Sequence, residues 1–140
     1  MNALSYKALT VRPDWMACYL AGIKTVECRT WQTDYRGDII LCSSAKRIRD
    51  TIPGCALMIA RLDGITPFAK KHLKPAVLRP SDVPSRAFAW IFKDFRLIKP
   101  VPVKGHLSLW NLDIQPKIIP GTFQSLSDDD LTRIYGKLIA

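Results

Sequence analysis

Most of the segments with the composition of β-strands follow one another along this chain at intervals too short for crossover helices. No other feature limits the fold as strongly. Such segments occupy residues 8–11, 25–31, 38–43, 55–62, 87–98 and 107–112. The first gap holds a helical pattern. Pro13 suits a first helical turn, Trp15, Met16, Tyr19 and Leu20 recur at helical spacing, and Gly22 supplies a left-handed stop, which predicts a helix over 13–21. Residues 38–43 form a continuous apolar run (Ile39 to Cys42), as a strand buried on both faces requires. The long strand over 87–98 is expected to carry a bulge near Lys93 and Asp94, and Pro100 and Pro102 then belong to an edge or linker. Residues 70–79 read as a helix end and an exposed basic loop. At the far end Ser127, followed by Asp128, Asp129 and Asp130, caps a terminal helix whose apolar stripe is Leu131, Ile134, Tyr135 and Leu138. The order predicts a mixed α+β fold built on a small, mainly antiparallel β-barrel with flanking helices.

The 140 residues fit one domain, and 48% hydrophobic content with mixed sequence throughout marks a globular chain. No apolar run approaches the roughly 18 residues of a bilayer span. Residues 1–7 lack the apolar core of a signal peptide, so a soluble cytoplasmic protein without membrane association is expected. Cys18, Cys28, Cys42 and Cys55 contain no C-x-x-C pair, and His72 and His106 are far apart. No zinc spacing is present, and neither metal nor cofactor is expected. The cysteines read as buried or half-buried thiols. The histidines lie in loop-like stretches with no acid partner suggested by spacing, which argues against a Ser-His triad.

Charge narrows the partner. The chain carries 21 basic against 12 acidic residues, a net +9, and the excess lies before residue 113. Such a surface favours polyanions, nucleic acid first, with an acidic protein as a further candidate partner. Arg36, Lys46, Arg47, Arg49, Lys70, Lys71 and Lys74 are candidate phosphate contacts, with Arg79 beside them.

Glu27 is the only glutamate and stands between Lys24 and Arg29. On a strand, Val26, Cys28 and Thr30 point one way and Thr25, Glu27, Arg29 and Trp31 the other. Glu27 and Arg29 are therefore neighbours on one polar face, and Lys24 can swing in from the helix cap. Lys24 offers a mobile ammonium for a phosphate or base carbonyl, or a base if burial depresses its pKa. Glu27 accepts from an exocyclic amine or ribose hydroxyl, pairs with Arg29 or Lys24, or acts as general acid/base. Lys24 and Glu27 are thus the candidate catalytic residues if the site is catalytic. Arg29 either grips phosphate or holds Glu27. Trp31 and Tyr35 are candidate stacking platforms, and Ser43 and Ser44 candidate ligand contacts at a strand end. Trp15 and Trp90 read as core.

The pattern Gly22-x-Lys24-x-x-Glu27-x-Arg29, with Trp31, Tyr35-Arg36-Gly37, the preceding Leu9 to Pro13 and the strand ending in Ser43, resembles the ASCH family. Ala89-Trp90, residues 100–105 and residues 107–112 are similar to the second half of such domains. The resemblance covers roughly residues 5–113. It implies an ASCH domain over 1–113, while residues 114–140 form an extension with a helix packed on the same domain. It also implies a PUA-like barrel with a cleft beside the first helix, and a role in binding RNA, nucleotides or modified nucleosides. Some members are hydrolases, and that is the alternative function. One branch resembles an amidohydrolase acting on acetylated cytidine through the motif lysine and a threonine three residues later. Here Glu27 takes the threonine slot, so that activity is not carried over. Other relatives look like ribonucleases, whose active-site residues do not transfer by motif. Ligand identity and oligomeric state do not follow from the sequence.

Overall fold

The computed structural model describes residues 4–140, so of the N-terminal stretch read above, residues 1–3 lie outside the described residues. The strands are β1 (Leu4–Val11), β2 (Val26–Arg29), β3 (Gly37–Ser43), β4 (Cys55–Pro67), β5 (Phe88–Pro102), β6 (Leu109–Ile114) and β7 (Ile118–Ile119). The helices are α1 (Pro13–Leu20), α2 (Leu73–Ala76) and α3 (Asp128–Tyr135), with short 3-10 turns at Lys70–His72, Pro80–Asp82 and Phe123–Ser125. Among the described residues no helix is long and apolar enough to cross a membrane.

All strands join one sheet in the order β2-β5-β4-β3-β1-β6, with β7 on β5. The hydrogen-bonded order has two ends, β2 and β6, so strand pairing does not close the expected barrel. The pairing is otherwise antiparallel, but β1 runs parallel to β3, with Leu9 opposite Leu41. That pair is possible because α1 and β2 lie between the two strands and supply the crossover length a parallel pair needs. The expectation of a mixed α+β fold with a mainly antiparallel sheet therefore holds.

The apolar run of β3 is explained by burial on both sides. Ile39 and Leu41 enter the larger core with Met16, Leu57 and Trp90, while Ile40 and Cys42 enter a second core with Ala8, Ile59 and Ile98. β5 bulges where expected. Ile59 faces Arg96 but Arg61 faces Lys93, so β5 carries an extra residue, and Asp94 adopts φ 53°. Pro100 and Pro102 are not in a linker. They lie inside β5, where its register against β4 shifts between Leu97 and Val101, and a residue without an N–H interrupts the ladder least at such a shift. The last long strand starts two residues later than expected, leaving Leu107 94% exposed in the preceding loop. Ser127 Oγ accepts from the Asp130 N–H at 3.1 Å, the expected cap. Tyr135 of α3 is buried in the larger core, with Leu131, Ile134 and Leu138 packed against it.

Candidate functional site

Helix α1 and strand β2 build the polar group. The α1 cap at Ala21 and the positive φ of Gly22 (77°) turn the chain so that Lys24 points back under the helix. Its side chain is 2% exposed. Nζ donates to the Ala76 carbonyl at 2.7 Å, stands 3.8 Å from Glu27 Oε1, and lies over the Trp15 and Tyr19 rings at 4.9 and 5.5 Å. Glu27, on the face predicted by strand parity, accepts from the Tyr19 hydroxyl at 2.9 Å through Oε1 and from Arg29 Nε at 2.8 Å through Oε2. Arg29 also donates to the Thr10 carbonyl at 3.0 Å, which ties β2 to β1. A single carboxylate thus holds a lysine from the turn before β2, an arginine of β2 itself and a tyrosine of α1.

Burial sets the protonation behaviour. Desolvation lowers the Lys24 ammonium from the ordinary lysine value, opposed by the nearby Glu27 carboxylate. Desolvation, reinforced by Glu27, pushes the Tyr19 phenol well above its ordinary value, so Tyr19 remains a donor to Glu27. The Cys28 thiol beside Glu27 is raised by burial as well. Cys42, deep in the second core, is pushed up to about 12 by burial. As read from the sequence, all four cysteines are free thiols, two buried and two half-buried.

Lys24, Glu27 and Cys28 form the floor of an open cleft of about 850 Å³. Its walls are Trp15 and the Arg12–Asp14 pair on one side and Val77 to Arg79, Asp82 and Pro84 on the other. A second open cleft of about 810 Å³ lies beyond Arg12 and is lined by Arg29, Thr10, Ser44, Lys104 and His106. Arg12 borders both clefts.

The other predicted residues fall elsewhere. Trp31 packs edge-on against Trp90, with ring centroids 4.7 Å apart, and its carbonyl accepts from Trp90 Nε1. Tyr35 donates to the Asp38 carbonyl at 2.7 Å. Both pack against the core, and neither lines the Lys24 cleft. Ser43 is fully buried, and its hydroxyl accepts from the Cys55 N–H, fastening β3 to β4. Ser44 lines the second cleft. Arg36 donates to the carbonyls of Thr33 and Tyr35 from an exposed turn. Lys46, Arg47, Arg49, Lys70, Lys71 and Lys74 are exposed. Among the described residues no cluster of His, Cys, Asp or Glu is suited to a metal.

Sequence reasoning missed Tyr19 and the wall residues Arg12, Asp14 and Asp82. It also read Trp15 wholly as core, whereas this side chain is half-buried and faces the cleft. The available signal was the i, i+4 pair Trp15 and Tyr19, which shares one face of α1.

An open mixed sheet with a polar cleft between its first helix and second strand defines the class of domain. The chain belongs to the ASCH domain family, whose model matches residues 9–100. In fold it is similar to the ASCH protein of Zymomonas mobilis, with TM-score 0.60, 15% identity and 96% of each chain covered. A serine-to-alanine mutant of that protein aligns with TM-score 0.61 and 16% identity over 80% of this chain and 91% of the other. The human protein Activating signal cointegrator 1 is 26% identical over 132 aligned residues, covering 75% of this chain and 22% of that protein. This chain therefore spans about a fifth of the length of that relative.

Proposed function

We propose that this ASCH protein binds single-stranded RNA or a nucleotide-like ligand in the cleft floored by Lys24 and Glu27. The observation that carries the reading is the buried Lys24 ammonium at the base of an open cleft whose wall arginines, Arg12 and Arg79, are each paired with an aspartate. It donates to the Ala76 carbonyl, stands 3.8 Å from Glu27 Oε1 and lies over Trp15, which leaves one N–H to meet a phosphate or base carbonyl. Glu27 and Arg29 hold one another and orient the floor, and Trp15 offers a π-face at the wall. The phosphate chain passes over Arg12 towards the second cleft. The exposed Lys70, Lys71 and Lys74 flank one end, and Lys46, Arg47 and Arg49 the other, with Arg36 as an outlying contact. Residues 1–113 act as the ASCH unit and 114–140 as an extension packed on the same domain, and Tyr135 in the larger core supports that packing.

The test is fluorescence anisotropy of a labelled ten-nucleotide RNA across salt concentrations. Affinity is expected to fall linearly on a log–log plot, with a slope of about −0.7 per phosphate contacted. Lys24→Ala is expected to weaken binding at every salt concentration. Undetectable binding at low salt, or binding indifferent to Lys24→Ala, sinks the reading.

The depressed Lys24 pKa favours a second reading, a nucleic-acid or nucleoside hydrolase with Lys24 as base. The full engagement of both Glu27 oxygens argues against Glu27 as a proton carrier. Incubation with RNA and with acylated nucleosides separates the readings. Turnover lost in both Lys24→Ala and Glu27→Gln supports the enzyme, and turnover surviving in both removes these residues from the chemistry.

A further inference from the structure

The two open clefts that share Arg12 differ in charge. The Lys24 cleft is lined by three cations, Arg12, Lys24 and Arg79, and by three carboxylates, Asp14, Glu27 and Asp82. Each cation there has an acid partner: Arg12–Asp14 at 3.1 Å, Lys24–Glu27 at 3.8 Å and Arg79–Asp82 at 3.2 Å. The second cleft is lined by Arg12, Arg29 and Lys104, with no carboxylate among its lining residues.

The cations of the second cleft are placed around Thr10. Arg29 donates through Nη2 to the Thr10 carbonyl and through Nε to Glu27. Two bonds therefore fix the guanidinium plane, and Nη1 makes no hydrogen bond among the described residues. Lys104 is exposed and precedes Gly105, which packs so closely on Thr10 that a Cβ there would lie 2.7 Å from Thr10 Cγ2. The Thr10 side chain is held in that position, because its Oγ1 accepts from Trp110 Nε1 at 3.0 Å. On the other wall, the Ser44 N–H donates to the Val11 carbonyl and the Ser44 carbonyl accepts from the Gly54 N–H, each at 2.8 Å, which leaves the half-buried hydroxyl free to donate into the cleft. The balance of charge decides which part of a ligand each space takes. A phosphate in the Lys24 cleft adds negative charge to a lining that is already balanced. In the second cleft it meets a fixed guanidinium and an ammonium with no carboxylate on the walls.

We infer that the second cleft is the phosphate site of this protein, with Arg29 Nη1, Lys104 Nζ and the Ser44 hydroxyl as its donors. The inference rests on the RNA reading for the source of the phosphate, and it assigns the Lys24 cleft to the uncharged base, whose carbonyl takes the N–H left on Lys24. The first experiment titrates the full chain with inorganic phosphate at constant ionic strength, balanced with chloride, and reads amide NMR shifts. Saturable shifts are expected at Ser44 and Gly105 and none at Thr25 and Cys28, with saturation lost in Lys104→Ala. The second reads RNA anisotropy across salt. Lys104→Ala should flatten the log–log slope by about 0.7, the loss of one phosphate contact, while Lys24→Ala should lower affinity along a parallel line. Lys117→Ala, in a groove apart from both clefts, should do neither. Phosphate shifts that are absent or centred on Cys28 overturn the inference, as does a slope flattened by Lys24→Ala and untouched by Lys104→Ala. RNA that fails to bind while phosphate still saturates at Ser44 and Gly105 removes the RNA reading and leaves the phosphate site standing.

Discussion

Two faces of α1 look onto two different kinds of space. On one face Trp15 and Tyr19 meet Lys24 and Glu27, buried charges that are mutually paired. On the other, Met16 and Leu20 border a mostly apolar pocket lined in part by Tyr135, whose buried hydroxyl has no partner among the described residues. Charge is tolerated beneath the first face because a single carboxylate satisfies three partners. The second face meets mostly apolar walls, with the Asp50 carboxylate turned out to solvent, and the Tyr135 hydroxyl is left with no acceptor among the described residues. Burial alone therefore does not mark the more stable face; the completeness of pairing does.

The largest effect should come from breaking the paired face. Glu27→Ala strands the buried Lys24 ammonium and frees Tyr19 and Arg29 from their acceptor. A loss of about 3–5 kcal/mol in urea unfolding is expected. A cost no larger than that of a surface substitution would show that the group is solvated. The opposite sign is expected on the other face. Tyr135→Phe removes the unpaired hydroxyl and should raise stability by about 1 kcal/mol in the same assay. Destabilisation there would mean that the hydroxyl has a partner. Ser127→Ala removes the α3 cap and should lower stability by about 1 kcal/mol, with RNA affinity unchanged because α3 lines neither polar cleft.

The smallest effect is a slope with pH. Burial lowers the native Lys24 pKa below its ordinary 10.5. Between that lowered value and 10.5 the unfolded chain binds more protons than the folded one, so this contribution to stability rises with pH. Tyr19, raised in the native state, acts with the opposite sign but is present in both wild type and Lys24→Met. The wild-type stability minus that of Lys24→Met should therefore increase as pH rises towards 10.5. A flat difference would place Lys24 in contact with water.

The polar face was legible in the sequence because strand parity is local. Val26 to Arg29 needed only a period of two to put Glu27 beside Arg29. The Ser127 cap and the bulge near Asp94 were legible for the same reason. The apolar pocket was not, since its walls come from residues 13–20, 50–57 and 123–139, and no periodicity links segments that meet only after the sheet forms. The unclosed sheet and the parallel β1–β3 pair were hidden likewise, because register between distant strands is a property of packing. Trp31 and Tyr35 had the composition of stacking residues, but the nearby Trp90 ring and the Asp38 carbonyl engage them.

The place of β1 in the sheet has a consequence for how the chain is made. β1 is flanked by β3 on one edge and by β6 on the other, with Tyr6 opposite Leu112. As the ribosome extends the chain, this strand gains its first neighbour with residues 37–43 and its second only with residues 109–114. For most of synthesis it presents a bare edge of unpaired N–H and carbonyl groups, the kind that recruits foreign strands. Completion of the sheet therefore waits on residues 109–114, and a pause in translation before them would hold the chain with that edge bare.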